Sequence, residues 1–119
     1  MKIGAPKESA SGEARVAMTP ASAKDLQKLG HECLIQKGAG EAAGFSDAAY
    51  KEAGVSVVSG AALWKDADII AKVRPPTDAE TKKLSANQTL ISFFYPASNE
   101  KLLETAKAQG ASVIAMDMV

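Results

Sequence analysis

Cysteine is nearly absent from this 119-residue chain. Cys33 stands alone, which excludes an internal disulfide and any cysteine-based zinc site. Long apolar runs are missing too, the longest being only a few residues, so nothing in the sequence is long enough to span a bilayer. Net charge is also missing. Fourteen basic residues balance fourteen acidic ones, which argues against nucleic acid or an anionic membrane as the main partner. No HExxH, GxSxG, P-loop or paired-carboxylate arrangement occurs. Hydrolase and kinase chemistry therefore lack a carrier, and no metal site is expected. Met1-Lys2-Ile3-Gly4 leads into domain-like sequence without a signal-peptide core, and the cytoplasm is the default compartment.

What is present is an ordinary globular composition, 46% apolar and 24% charged, enough for one domain with a modest core. One grammar recurs in it: a helix-like segment, a glycine, then a short β-branched run. It appears as LQKLGHECLI, YKEAGVSVV and AKAQGASVIA. Gly30, Gly54 and Gly110 fall where a helix needs a left-handed residue to end it, and the runs after them suit buried strands. With MKIGA, DADIIAKV and QTLISFF added, about six strands alternate with helices. That alternation predicts an α/β domain with a largely parallel sheet.

The helix ends are readable. Thr19 caps a first helix with Pro20 at its first position, running to Leu29. Ser46 caps a second through Ala53, and Ser98 or Asn99 opens the last, with Leu102, Leu103 and Ala106 on one face. Shorter helical pieces are expected over Gly60 to Lys65 and Asp78 to Leu84, with Pro75-Pro76 breaking the chain after the fourth strand. No linker or tandem repeat divides the sequence.

Gly38-x-Gly40-x-x-Ala43 fits a loose dinucleotide fingerprint. A working fingerprint opens directly into a helix whose amides meet the phosphate, and it normally follows the first strand. Here it follows the second, His31 to Gln36, and the next helix waits for Ser46. The expected role is a strand-to-helix turn.

Ligands of open α/β sheets sit beyond the carboxyl ends of the strands, so the polar residues at those ends are the candidates. The loop PKESASGEARVAMTP after the first strand holds Lys7, Glu8, Glu13 and Arg15. Arg15 either grips a carboxylate or phosphate with its guanidinium fork or is a solvated loop arginine. Lys72 interrupts the apolar DIIAKV. It either meets a ligand oxygen, with burial acting on its charge, or snorkels out at the sheet edge. Tyr95 and Asp117 end the fifth and last strands; each faces the crevice or serves the structure. His31 reads as a surface residue, Cys33 as a small core residue, and Trp64 with the four methionines as packing.

The sequence IGAPKESASGEARVAMTPASAKDLQKLGHECLIQKGAGEAAGFSDAAYKEAG resembles the N-terminus shared by alanine dehydrogenases and the NAD-binding subunit of proton-translocating nicotinamide nucleotide transhydrogenase. The shared pattern is G-x-P-K-E, E-x-R-V-A-x-T-P, L-x-x-x-G-H and K-G-A-G-x-x-x-G-F-S-D. LISFFYPASNEKLL and VIAMDMV resemble the transhydrogenase branch more closely. The resemblance covers essentially the whole chain but only the first part of the family's. It implies a Rossmann-like or flavodoxin-like three-layer domain, residues 1–119 forming the N-terminal subdomain, with the family's NAD-binding Rossmann domain lying outside this chain.

It also implies roles. The family's keto-acid-binding arginine and lysine fall on Arg15 and Lys72, while Tyr95 stands where alanine dehydrogenases place a catalytic histidine. That departure favours the transhydrogenase branch. The implied function is a share in the NAD(H)-binding component, with hydride transfer between NAD(H) and NADP(H) coupled to proton passage and NADP(H) bound by another component. Arg15, Lys72 and Tyr95 are expected to line the NAD(H) cleft without a catalytic residue among them, because the nicotinamide carries the hydride chemistry. The implied partners are the remaining transhydrogenase domains and subunits and a second copy in a homodimer. The implied location is the cytoplasmic face of the inner membrane, this stretch alone being soluble and inactive. The alternatives are the N-terminal domain of an NAD-dependent alanine or saccharopine-like dehydrogenase, and a non-catalytic module for a small carboxylate.

Overall fold

The computed structural model describes residues 1–10, 12–92, 104–105 and 108–115. The chain runs β1 (Lys2–Ala5), α1 (Pro20–Lys28), β2 (Glu32–Gln36), a 3-10 turn (Glu41–Ala43), α2 (Asp47–Glu52), β3 (Ser56–Val58), α3 (Gly60–Asp66), β4 (Ile69–Ala71), α4 (Asp78–Lys82), β5 (Thr89–Ser92) and β6 (Ser112–Ala115). Glu104, Thr105 and Ala108 are helical. Ser98, Asn99, Leu102, Leu103 and Ala106, through which the last helix is expected to open and pack, lie outside the described residues.

Each of α1 to α4 begins where a side chain can accept an otherwise unpaired amide. Thr19 takes the Ser22 amide at 3.1 Å and Ser22 Oγ accepts the Thr19 amide at 2.9 Å, with Pro20 opening the helix. Ser46 and Ser59 each accept an amide three residues on, both at 3.2 Å. Thr77 and Glu80 repeat the reciprocal arrangement at α4. Such caps each contribute about 1 kcal/mol. The glycines after α1 and α2 are left-handed, at φ 93° for Gly30 and 86° for Gly54, as the sequence requires.

The six strands form one sheet in the order β3-β2-β1-β4-β5-β6, every neighbouring pair parallel. That is the Rossmann order, so the structure settles the choice between the two expected topologies. Alternate strand residues feed two cores. On one face Ile3, Ala5, Cys33 and Ile35 pack with Ala23 of α1 and Tyr50 of α2. On the other, Leu34, Ile70 and Leu90 pack with Leu63 and Trp64 of α3 and with Leu84. Cys33 is buried as expected, its thiol 3.7 Å from the Ala23 carbonyl, and burial pushes that thiol's pKa up. Met18 is buried, whereas Met1 is exposed rather than packed. His31 is half-buried, and its Nδ1 has no partner among the described residues.

A candidate functional site at the carboxyl end of the sheet

β1 and β4 are adjacent strands, and the chain winds outward from them in opposite directions. Their carboxyl ends mark the topological switch point, where a doubly wound sheet opens a crevice. The loop after β1 runs into it. Pro6 is fully buried, and the Lys7 amide donates to Gln36 Oε1 at 2.9 Å, which ties the loop to the end of β2. Glu8 is thereby turned inward.

The Glu8 carboxylate accepts three donors from the chain after β4. Lys72 Nζ lies 3.0 Å from Oε1, the Arg74 amide 3.1 Å from Oε1 and the Val73 amide 2.9 Å from Oε2. Both side chains of the ion pair are enclosed, Lys72 at 1% exposure and Glu8 at 2%. Glu80, in the first turn of α4, stands 3.9 Å from the same ammonium. Lys72 therefore neither snorkels to the sheet edge nor stands open on the crevice wall. It sits beneath the wall, and its own amide continues the pairing with β5 by donating to the Ile91 carbonyl at 2.9 Å.

A second charged knot lies beside the first. Glu13, 4% exposed, receives Arg15 through two side-chain bonds, Nη2 to Oε1 at 2.7 Å and Nε to Oε2 at 2.9 Å. The Arg15 amide adds a third at 3.0 Å, and Arg74 Nε a fourth at 2.8 Å. The Arg15 guanidinium, then the Arg15 amide and the Arg74 guanidinium, hold the Glu13 carboxyl well below its ordinary pKa, against a smaller opposing effect of desolvation. Arg15 itself is 62% exposed, so its fork meets both Glu13 and solvent.

A cavity of about 190 Å³ separates this loop from the glycine turn, lined among others by Lys7, Glu8, Glu13, Arg15, Gly38 and Glu41. A second, of about 350 Å³, shares Lys7 and Glu8 and extends toward Trp64, Glu80 and Lys83. The Lys7-Glu8 segment thus forms a wall common to both.

The glycine turn has no amides to spare for a pyrophosphate along most of its length. Gly38 donates to Asp47 Oδ1 at 2.9 Å. The amides of Ala39, Glu41, Ala43, Gly44 and Phe45 all donate to carbonyls between residues 36 and 41. Gly40 is required by contact: a Cβ there would lie 2.5 Å from the Tyr50 ring and 2.8 Å from the Phe45 carbonyl. Tyr50 is fixed in turn by its hydroxyl, which donates to the Met18 carbonyl at 2.6 Å. The stretch is a turn by construction.

Arg15 and Lys72 thus fall at one end of the sheet, linked through Arg74 and the two glutamates. Tyr95 and Asp117 lie outside the described residues. Sequence reasoning placed Glu8 and Glu13 in the loop but did not pair them, and it passed over Arg74. A signal was there, since a lysine in a buried strand requires a buried anion, and the preceding loop supplies two. Among the described residues no group of histidine, cysteine, aspartate and glutamate side chains could hold a metal ion, and no helix is long and apolar enough to cross a membrane.

A six-stranded parallel sheet in Rossmann order, with a charged loop rather than a glycine loop at its switch point, defines a Rossmann-like α/β domain. The chain belongs to the alanine dehydrogenase/PNT N-terminal domain family, which matches residues 4–119. It is 63% identical over 120 aligned residues to the NAD(P) transhydrogenase subunit alpha of Cereibacter sphaeroides, covering all of this chain and 23% of that one. To the alanine dehydrogenase of Halomonas elongata it is 42% identical, covering 32% of that protein. Among solved structures it superposes on the transhydrogenase from Sinorhizobium meliloti with a TM-score of 0.94 at 32% identity, over 99% of this chain and 35% of that one. An L-alanine dehydrogenase gives 0.91 at 35% identity, over 97% and 32%. The chain spans about a quarter to a third of the length of these relatives. Its resemblance to both branches is therefore real along its whole length, and its relatives are oxidoreductases.

Proposed function

We propose that the chain serves as the N-terminal subdomain of the NAD(H)-binding component of a proton-translocating NAD(P) transhydrogenase. The observation that carries this reading is the 63% identity to a transhydrogenase α subunit along the entire chain. In this reading the switch-point end of the sheet forms one wall of the NAD(H) cleft. The glycine turn is not the pyrophosphate site, because most of its amides are bonded within the turn and to Asp47. A separate Rossmann domain holds the pyrophosphate, and another component of the complex binds NADP(H). The bound nicotinamides supply the hydride chemistry, so this subdomain needs no acid or base.

The residues of this chain orient and tune. Arg15 presents a half-solvated guanidinium to an anionic or carbonyl group of the ligand. Lys72 acts from beneath the wall, neutralising the buried Glu8 that holds the amides of Val73 and Arg74. Tyr95 completes the lining. The subdomain acts within a membrane-associated complex, on its cytoplasmic face, and pairs with a second copy there.

The test is a graft. This chain replaces the matching residues of the Cereibacter sphaeroides α subunit, and hydride transfer from NADH to NADP⁺ is measured in the reassembled complex. Activity retained within about tenfold, a loss of under about 1.4 kcal/mol in the barrier, supports the reading. A folded, assembled graft without activity overturns it. The 42% identity to an alanine dehydrogenase favours a second reading, a dehydrogenase of a small amino acid. A graft into that enzyme that aminates pyruvate with Tyr95 intact would favour it, whereas activity appearing only with Tyr95→His would favour the transhydrogenase.

A further inference from the structure

We propose that Glu8 is the positioning residue of the switch-point crevice, setting the places of Lys72, Arg74 and, through Glu13, Arg15. Its effect on ligand binding rests on the cleft reading above; its effect on the arrangement of the charged groups does not.

The case begins with how one carboxylate is used. Glu8 stands three residues past β1, yet every donor it accepts comes from residues 72 to 74, at the end of β4. Two of the three are consecutive backbone amides, Val73 and Arg74. A carboxylate needed only to balance the Lys72 charge could do so without engaging them. By binding them on both oxygens it fixes the direction in which the chain leaves β4, and hence where the Arg74 side chain starts. Arg74 then reaches Glu13 at 2.8 Å, on the same Oε1 that receives Arg15 Nη2 at 2.7 Å. Glu13 is shared between two guanidinium groups, so moving Arg74 alters the donors around the atom that orients Arg15. The sequence of contacts is Glu8, the 73–74 amides, Arg74, Glu13, Arg15. Only Arg15, at its end, is mostly open to solvent.

Glu8 does this while almost wholly buried. An enclosed, fully bonded carboxylate keeps one geometry, which an exposed one held by long side chains does not. Glutamine at this position tests the arrangement without changing shape. Its carbonyl can serve one side of the site, but its NH₂ group must face a donor on the other.

The experiment has two arms. In the first, the ¹⁵N-labelled chain is studied by NMR as wild type, as Glu8→Gln, and as Glu8→Met combined with Lys72→Met, which replaces the buried charges with apolar groups of similar length. The Arg74 and Arg15 Nε–H signals are followed together with the melting temperature. Both signals are expected to leave their wild-type positions in Glu8→Gln, and to remain displaced in the Met–Met chain although its melting temperature recovers. If both signals stay in place in a folded Glu8→Gln chain, or return in the Met–Met chain, Glu8 merely balances charge and the inference is overturned. Should Glu8→Gln fail to fold, the Met–Met chain decides alone: displaced signals support the positioning role, and signals at their wild-type places overturn it. In the second arm, Glu8→Gln is placed in the transhydrogenase graft. KM for NADH is expected to rise about threefold or more while kcat changes by less than about twofold. An unchanged KM in an active graft overturns the ligand effect of Glu8. An inactive wild-type graft overturns the cleft reading instead, and leaves the NMR arm to decide the positioning role.

Discussion

Two loops leave neighbouring strands at the same end of the sheet and are held in opposite ways. The loop after β1 is fixed by charge, with Glu8 and Glu13 reaching residues more than sixty positions away. The loop after β2 is fixed by backbone, through short turns, left-handed glycines and the closeness of Gly40 to Tyr50. The charged loop spends its polar groups across the switch point and still leaves one guanidinium facing outward. The glycine loop turns its amides inward. The loop that matches a nucleotide motif is thus the one with less to offer a ligand, because a fingerprint works through free amides and most of these are used.

The comparison is broken most severely by removing one charge. Lys72→Met leaves Glu8 buried with two amides but no cation, and stability should fall by about 3 kcal/mol, measured by urea unfolding. A loss under about 0.5 kcal/mol would mean that the charged loop is not held as described.

Gly40→Ala strikes the other loop. Its Cβ would lie 2.5 Å from the Tyr50 ring and against the rigid Phe45 carbonyl, so a loss of about 2 kcal/mol is expected from overpacking. NMR should show the Tyr50 ring displaced. Gly44→Ala is milder, because open space surrounds the position and only its φ of 89° opposes a side chain. A loss of about 1 kcal/mol is expected, and a stabilisation would show that the turn does not need its left-handed residue.

The smallest effect sharpens the contrast through pH. The folded state lowers the Glu13 pKa from 4.5, chiefly through Arg15. A group with a depressed folded pKa stabilises the fold above its unfolded value and loses that contribution as pH falls through the folded one. The wild type should therefore lose stability relative to Glu13→Gln as pH drops below about 4.5. Melting curves across that range would show parallel profiles if the knot contributes nothing.

Much of the fold was legible because its signals are local. Thr19 and Ser46 announce helices that begin at the next residue, and Gly30 and Gly54 end them at φ values only glycine adopts readily. Small errors lie at the ends: α4 stops at Lys82 rather than Leu84, and regular β4 covers only Ile69–Ala71. Strand order was not local, and the sequence left two topologies open until β4 was seen beside β1. In the site, Lys72 stood out because its neighbours are apolar. Its partner did not, since nothing in the loop distinguishes Glu8, which points inward, from Lys7, which precedes it. That choice depends on the Gln36 side chain catching the Lys7 amide, a contact visible only once two strands are aligned.

The place of β1 has a consequence in time. It precedes the other five strands in sequence, yet it is an inner strand of the finished sheet, flanked by β2 and β4. Among the described residues, the buried members of the core under α1 and α2 lie between Ile3 and Val55, and a partly buried Ile69 joins them later. The opposite core draws on residues from Leu34 to Val113. Synthesis therefore delivers most of the described core on one face while the other half of the sheet is still being made, and β1 waits with one edge satisfied for a strand more than sixty residues behind it.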